Sequence, residues 1–279
     1  MLRRRRAIFA LAVSAALGLA ALTGLAAPAT ATDRPALVTA AAAPATPKPT
    51  VVLVHGAFAD SGGWSLVGSA LQSQGYPVIA FSNPLRGAQY DSEYLRSFLS
   101  TIEGPIVLVG HSYGGVLITN AATGNTNVKS LVYIAAYAPD EGESVQDASA
   151  LGGGHSTIQD HLVIRPFPGS GEGNADAYLD PVAFPSLFAQ DLPKAVARNL
   201  AATQRPAALA ALGTPSGVPA WKTIPSWFLV ATEDRIIPPE AERFMAARAG
   251  ATTVEVRSSH VPMISKPLTV IALIKAASK

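Results

Sequence analysis

The chain has no cysteine among its 279 residues. Disulfides, a thiol nucleophile and thiolate metal ligation are therefore excluded, and packing alone must stabilise the fold. It also has little net charge, +2 with histidine neutral, and four of its arginines, Arg3 to Arg6, cluster at one end. The remainder is near neutral or slightly acidic, with no basic field to steer nucleic acid. No internal repeat is visible.

Arg3 to Arg6 precede an apolar run over 7–27 and a small-residue site, Ala29-Thr30-Ala31. That order of charged, apolar and small residues defines a secretory signal, expected over 1–31 and cleaved near Ala31. A retained membrane anchor is the competing expectation, because the run approaches the ~20 residues of a span. Gly18, Gly24 and Pro28 favour cleavage, and the paired arginines leave the export route open. The expected product is secreted or extracytoplasmic, with no stable membrane association. Residues 32–49 are Ala-, Pro- and Thr-rich and read as a disordered or extended linker. Residues 50–279 suit one domain with a sizeable core. The positive mean hydropathy owes much to the signal and to alanine.

Within that domain, apolar β-branched runs at 50–54, 77–81, 106–109, 130–135, 227–231 and 252–256 read as six strands. Segments with helical spacing separate them, at 64–73, 90–102, 116–123, 240–249 and 268–277. Such alternation predicts an α/β fold with a mostly parallel sheet and right-handed crossovers. Residues 138–223 break the pattern and are too long for a structureless loop. They are expected to form a small cap insertion, with helical pieces at 183–189, 194–203 and 207–212.

Gly110-His111-Ser112-Tyr113-Gly114 lies between a strand and a helix. This is the nucleophile-elbow pattern, in which a tight turn raises a serine hydroxyl above the sheet. The serine needs a base oriented by an acid, in the chain order Ser, Asp or Glu, His. Asp234 follows the fifth strand and His260 the sixth, so both belong at the sheet's carboxyl edge beside Ser112. Glu233 is the lesser alternative to Asp234. The backbone N–H groups of Ala57, in the His55-Gly56-Ala57-Phe58 loop, and of Tyr113 are the expected oxyanion donors. His55 and His111 are expected to orient these turns. His155 and His161 flank Asp160, where a solvated or substrate-lining role outweighs a metal site. Asp140, Glu141 and Glu143 read as a solvated acidic turn. Phe58, Phe184, Phe188 and Trp221 are candidate substrate contacts. With Phe167, Tyr178 and Leu187, the cap aromatics could equally form the cap's own core.

The segments VVLVHGAF, VGHSYGG, TEDRIIPPEAERFM and SSHVPMISKP resemble the α/β-hydrolase superfamily. They are most similar to the branch of plant methyl esterases and hydroxynitrile lyases with their bacterial relatives. The resemblance implies a six-stranded core, a small helical cap, Ser112 as nucleophile, His260 as base, Asp234 as its orienter, and Ala57 and Tyr113 as oxyanion donors. Lyase members have threonine where Gly56 stands and lysine where Val261 stands, so this sequence departs from the lyases. The resulting expectation is a serine carboxylesterase acting on a small or medium ester without metal or cofactor. Perhydrolysis on the same residues and a non-catalytic ligand-binding role are the alternatives.

Overall fold

A computed structural model describes residues 47–279, which cluster as one compact unit. The expected signal over 1–31 and most of the expected linker lie outside the described residues. Among those described, no helix is long and apolar enough to cross a membrane.

Nine strands form in chain order: β1 (Thr50–Val54), β2 (Val78–Phe81), β3 (Ile106–Ser112), β4 (Val128–Ala136), β5 (Leu162–Arg165), β6 (Asp176–Leu179), β7 (Ala207–Ala208), β8 (Ser226–Ala231) and β9 (Thr252–Val256). Six of them make the expected parallel sheet in the order β2-β1-β3-β4-β8-β9. Helices Ser65–Ser73 and Pro267–Ala277 pack together on one face, and Ala88–Leu99 with Gly114–Ala121 on the other. Covering both faces explains why β1, β3 and β8 are near-continuous apolar runs and not alternating ones. The edge strand β9 is largely exposed, and the ion pair between its Glu255 and Arg243 on helix Pro239–Arg248 places charge there.

The strand order sets the site. From β1 the chain crosses outward to β2, then returns past β1 to β3 and continues the other way. Neighbouring connections therefore diverge at the carboxyl ends of β1 and β3, leaving the crevice where open α/β sheets bind ligands. Val54 pairs with Gly110 at this point, so the loops after both strands open side by side.

Between β4 and β8 the chain is more varied than its sequence period suggests. Helices Val145–Ser149, Phe184–Leu187, Lys194–Thr203 and Leu209–Gly213 accompany a three-stranded antiparallel sheet, β5-β6-β7. These strands have four, four and two residues, too short for the alternation that reveals a strand in sequence. Ala207–Ala208, expected to begin a helix, pairs with β6 instead.

The contact between helix Gly114–Ala121 and the segment after β4 is so close that a Cβ on Gly115 would meet the Tyr137 carbonyl oxygen at 2.1 Å. Backbone cannot yield as a side-chain tip can. Gly115→Ala should therefore cost about 1–3 kcal/mol or more in urea unfolding. Gly63→Ala, where nothing lies within 4 Å, should change stability by less than about 0.5 kcal/mol.

Candidate active site

Ser112 ends β3 with φ 54, a left-handed conformation that L-residues seldom adopt. The register with β4 shifts between His111 and Ser112, so the ladder itself bends there. Phe58 (φ 58), on the loop after β1, and Ala135 (φ 44), near the end of β4, share this conformation. Strain of about 1–3 kcal/mol per residue persists only where surroundings over-determine it, and it concentrates at functional sites.

Gly56 shows how close the two loops come. A Cβ there would lie 2.5 Å from Ser112 Cβ and 3.0 Å from Ser112 Oγ. The next amide, that of Ala57, donates to no acceptor among the described residues, and neither does that of Tyr113. Buried amides normally find acceptors, so two unused donors flanking one hydroxyl are a chemical feature. Tyr113 is held by its side chain: its phenol donates to Asp91 Oδ2 at 2.8 Å. Asp91 also accepts from the Arg86 and Gly87 amides. Burial pushes the Asp91 carboxyl up and the Tyr113 phenol well up.

His260 and Asp234 meet directly. Nδ1 of His260 lies 2.6 Å from Asp234 Oδ2, with both side chains fully buried. Asp234 Oδ1 accepts from the amides of Ile236 and Ile237 at 2.7 and 3.0 Å. The carboxylate is thus fixed by its own turn before it reaches the ring. Nε2 of His260 is buried without a partner. No hydrogen bond joins it to Ser112 Oγ at rest, and such bonds commonly tighten only with substrate present. Glu233 points elsewhere and takes a 2.6 Å hydrogen bond from Arg257 Nε on the surface.

The two elbow histidines are fixed by their bonds. His55 Nε2 accepts from the Asn83 amide at 3.0 Å, so the proton sits on Nδ1, which donates to the Gly56 carbonyl at 2.9 Å. Burial lowers its pKa from 6.5 to about 4. His111 is likewise pushed well down, by burial and then by the neighbouring His260. Being neutral, it donates from Nε2 to the His260 carbonyl at 2.8 Å.

A cavity of about 420 Å³ opens at Ser112 and is lined by Ala57, Phe58, Tyr113, Tyr137, Leu209 and Leu212, among others. No Asp, Glu, Lys or Arg lines it. His155 is on its wall, whereas His161 is not, and no three potential metal ligands cluster among the described residues.

The aromatic expectations need correction. Phe58 faces the cavity, but Phe184 and Phe188 stack 4.5 Å apart behind it, and Phe188 sits edge-on to His260 at 4.7 Å. They line a smaller void of about 30 Å³ with Trp64 and His111. Trp221 lies outside the cavity, its indole N–H donating to the Pro139 carbonyl. An indole N–H needs a partner when buried, and a backbone carbonyl supplies it. Phe167 and Tyr178 face Arg86 and Arg165. The acidic turn is also more than solvated: Arg248 grips Glu143 bidentately at 2.6 and 2.7 Å, and Lys222 pairs with Asp140. Burial raises the Glu143 carboxyl, yet the Arg248 bonds outweigh it and hold the pKa low.

Three positions escaped sequence reasoning. Asp91 interrupts the buried face of helix Ala88–Leu99, and Glu242 that of helix Pro239–Arg248. A charge on an apolar stripe is the signal that could have revealed both. Asp191, which accepts from the Ser259 amide at 3.0 Å beside His260, carries no local signal.

Residues 51–273 match the Alpha/beta hydrolase family, and the chain belongs to it. The Carbendazim hydrolyzing esterase of Nocardioides sp. (strain SG-4G) is 33% identical over 145 residues, covering 42% of this chain and 59% of that protein. The Alpha/beta hydrolase nvfD of Aspergillus novofumigatus (strain IBT 16806) is 26% identical over 254 residues, covering 83% and 97%. Among solved structures, polyneuridine aldehyde esterase superposes with TM-score 0.72 at 20% identity, over 83% of this chain and 100% of that one. A pyrethroid hydrolase from Sphingobium faniae JZ-2 gives 0.67 at 21%, over 82% and 97%. These superpositions establish the same fold.

The neutral state of His55 has a measurable consequence. Its folded pKa lies below its ordinary value, so its contribution to stability is complete above pH 6.5 and is lost as pH falls towards 4. The stability advantage of wild type over His55→Gln should shrink by about 2 kcal/mol between pH 7 and pH 5 in urea unfolding. An unchanged difference would mean that His55 is not neutral in the fold.

Proposed function

We propose that the protein hydrolyses neutral carboxylic esters of small or medium size through a Ser112 acyl-enzyme. The observation that carries this is the buried His260–Asp234 hydrogen bond of 2.6 Å, set on the same sheet edge as the strained Ser112. Esterases and hydrolases among the similar proteins support ester cleavage as the reaction type.

His260 takes the Ser112 proton at Nε2 while Oγ bonds to the ester carbonyl carbon. The carbonyl oxygen becomes an oxyanion held by the Ala57 and Tyr113 amides. Asp234, accepting from Nδ1–H, keeps the ring in the required tautomer and stabilises the imidazolium. Collapse of the intermediate breaks the bond to the alcohol, which leaves with the proton from Nε2. Water then repeats the sequence on the acyl-enzyme, releasing the acid and restoring Ser112. These steps are internal to the chain's own residues. Loss of one oxyanion donor commonly costs about 3 kcal/mol, so the positioning of the Ala57 and Tyr113 amides matters although neither has a reactive side chain.

The cavity supports the substrate class. Its lining offers Gln146, Ser149 and Gln159 for hydrogen bonding but no fixed charge. Ionic acyl groups would lose hydration without compensation there. Its volume falls in the range of small-molecule sites and leaves little room for a long acyl chain.

We further propose that residues 1–31 direct export, 32–49 serve as a linker, and about 138–223 cap the 50–279 domain. Support comes from the arginine cluster, the apolar run and the small-residue site.

Ser112→Ala should abolish turnover and fluorophosphonate labelling while leaving the unfolding midpoint nearly unchanged. Asp234→Asn should lower kcat by up to about 10⁴, as in the serine-protease template, whereas Glu233→Gln should change it little. Persistent labelling of Ser112→Ala would remove Ser112 from its role, and a crippled Glu233→Gln would move the acid by one position. On p-nitrophenyl esters of graded length, kcat/KM should peak at short chains without activation at lipid interfaces. A maximum on palmitoyl esters would contradict the capped-cavity argument.

A further inference from the structure

Beneath the turn that carries Asp234 lies a second carboxyl group. Glu242, on helix Pro239–Arg248, is fully buried. Its Oε2 accepts from the amide of Ala231, the last residue of β8, at 3.2 Å. Its Oε1 is buried with no donor. No cation pairs with it among the described residues: Arg243, the next residue, turns outward to Glu255 through two 2.8 Å bonds. A buried carboxylate without a counter-ion is strongly disfavoured.

The conflict disappears when Glu242 carries a proton. Its side chain lies within hydrogen-bonding reach of the Asp234 side chain, so a proton on the Glu242 carboxyl has an acceptor, whereas two facing carboxylates would repel. Burial first, then the Asp234 charge, pushes the Glu242 pKa well up. The other titratable groups facing this spot are Asp234, with His260 bonded beyond it, and Tyr137, whose phenol is itself raised by burial. Arg243 acts on it only from outside.

We propose that Glu242 is a positioning residue for the ester hydrolysis proposed above: its neutral carboxyl donates to the Asp234 carboxylate, fixing the acid and leaving the Asp234–Glu242 pair with a single negative charge. Asp234 then receives donors from the Ile236 and Ile237 amides, His260 and Glu242. This inference rests on the assignment of Asp234 as the orienting acid. Its chemistry is distinct, because a second ionised carboxylate would hold His260 charged to higher pH and delay its action as a base.

Two substitutions separate this role from simple packing. In Glu242→Gln the amide keeps the shape, the acceptor for Ala231 and a neutral donor. Its kcat should stay within about twofold of wild type, and the acid limb of kcat/KM should stay in place. Glu242→Leu removes the donor and leaves the Asp234 carboxylate one hydrogen bond short. Its kcat should fall on the order of tenfold, the worth of one hydrogen bond to a charged group. KM should change little, and the acid limb should move to higher pH.

A downward shift of that limb in Glu242→Gln would show that Glu242 is ionised in wild type and overturn the proposal. So would a wild-type kcat and limb in Glu242→Leu. If Glu242→Leu does not fold, the glutamine variant decides alone. Infrared difference spectra of the full chain, wild type minus Glu242→Gln at neutral pH, should contain the carbonyl band of a protonated carboxylic acid, and its absence would overturn the proposal. This last readout needs no turnover. A failure of the ester-hydrolysis proposal would therefore leave the protonation of Glu242 separately measurable.

Discussion

The backbone at Ser112 is the constraint on which the rest depends. A left-handed serine at a strand end is unfavourable by itself, and the surrounding chain must make every alternative worse. Gly56 does so from the β1 loop, where a Cβ would collide with Ser112, and Gly115 from the following helix, where a Cβ would collide with the Tyr137 carbonyl. The β3–β4 register shift and the left-handed Ala135 complete the enclosure. Strand order, helix packing and loop geometry all converge on that one residue.

Around it, buried polar groups are paired in a way that fixes their protonation. His55 and His111 are held neutral by burial and each donates one ring N–H to a backbone carbonyl. Asp91 ties the Tyr113 side chain and thereby steadies the amide beside Ser112. Asp234 is satisfied by two amides of its own turn before it meets His260. In a medium of low dielectric each such bond is strong, and each omission is costly. The Ala57 and Tyr113 amides and His260 Nε2 are among the groups left unpaired beside Ser112.

The segment between β4 and β8 contributes in two distinct ways. Its aliphatic and small polar residues wall the cavity, while its stacked phenylalanines pack behind His260 and support the ring. Asp191 anchors this segment to the Ser259 amide, one residue from His260. A shift of this segment would therefore reach His260 through backbone and not only through contact.

The sequence by itself determined what depends on local covalent pattern. Six apolar runs specify the six strands of the parallel sheet, and the glycine-flanked Ser112 after one of them specifies a tight strand–helix turn. Asp234 and His260 were legible because each follows a strand, and parallel strands bring all their carboxyl ends to one edge. Tertiary structure decided whatever depends on contacts between distant segments. Phe184, Phe188 and Trp221 have the same composition as cavity-lining aromatics, and only packing reveals that two back the histidine and one bonds to Pro139. Asp91 and Glu242 stand on apolar stripes of their helices, but only the packing shows that those stripes are fully covered. A helix period reports which residues share a face, but burial and protonation depend on what covers that face, and chain segments far apart in sequence supply the cover.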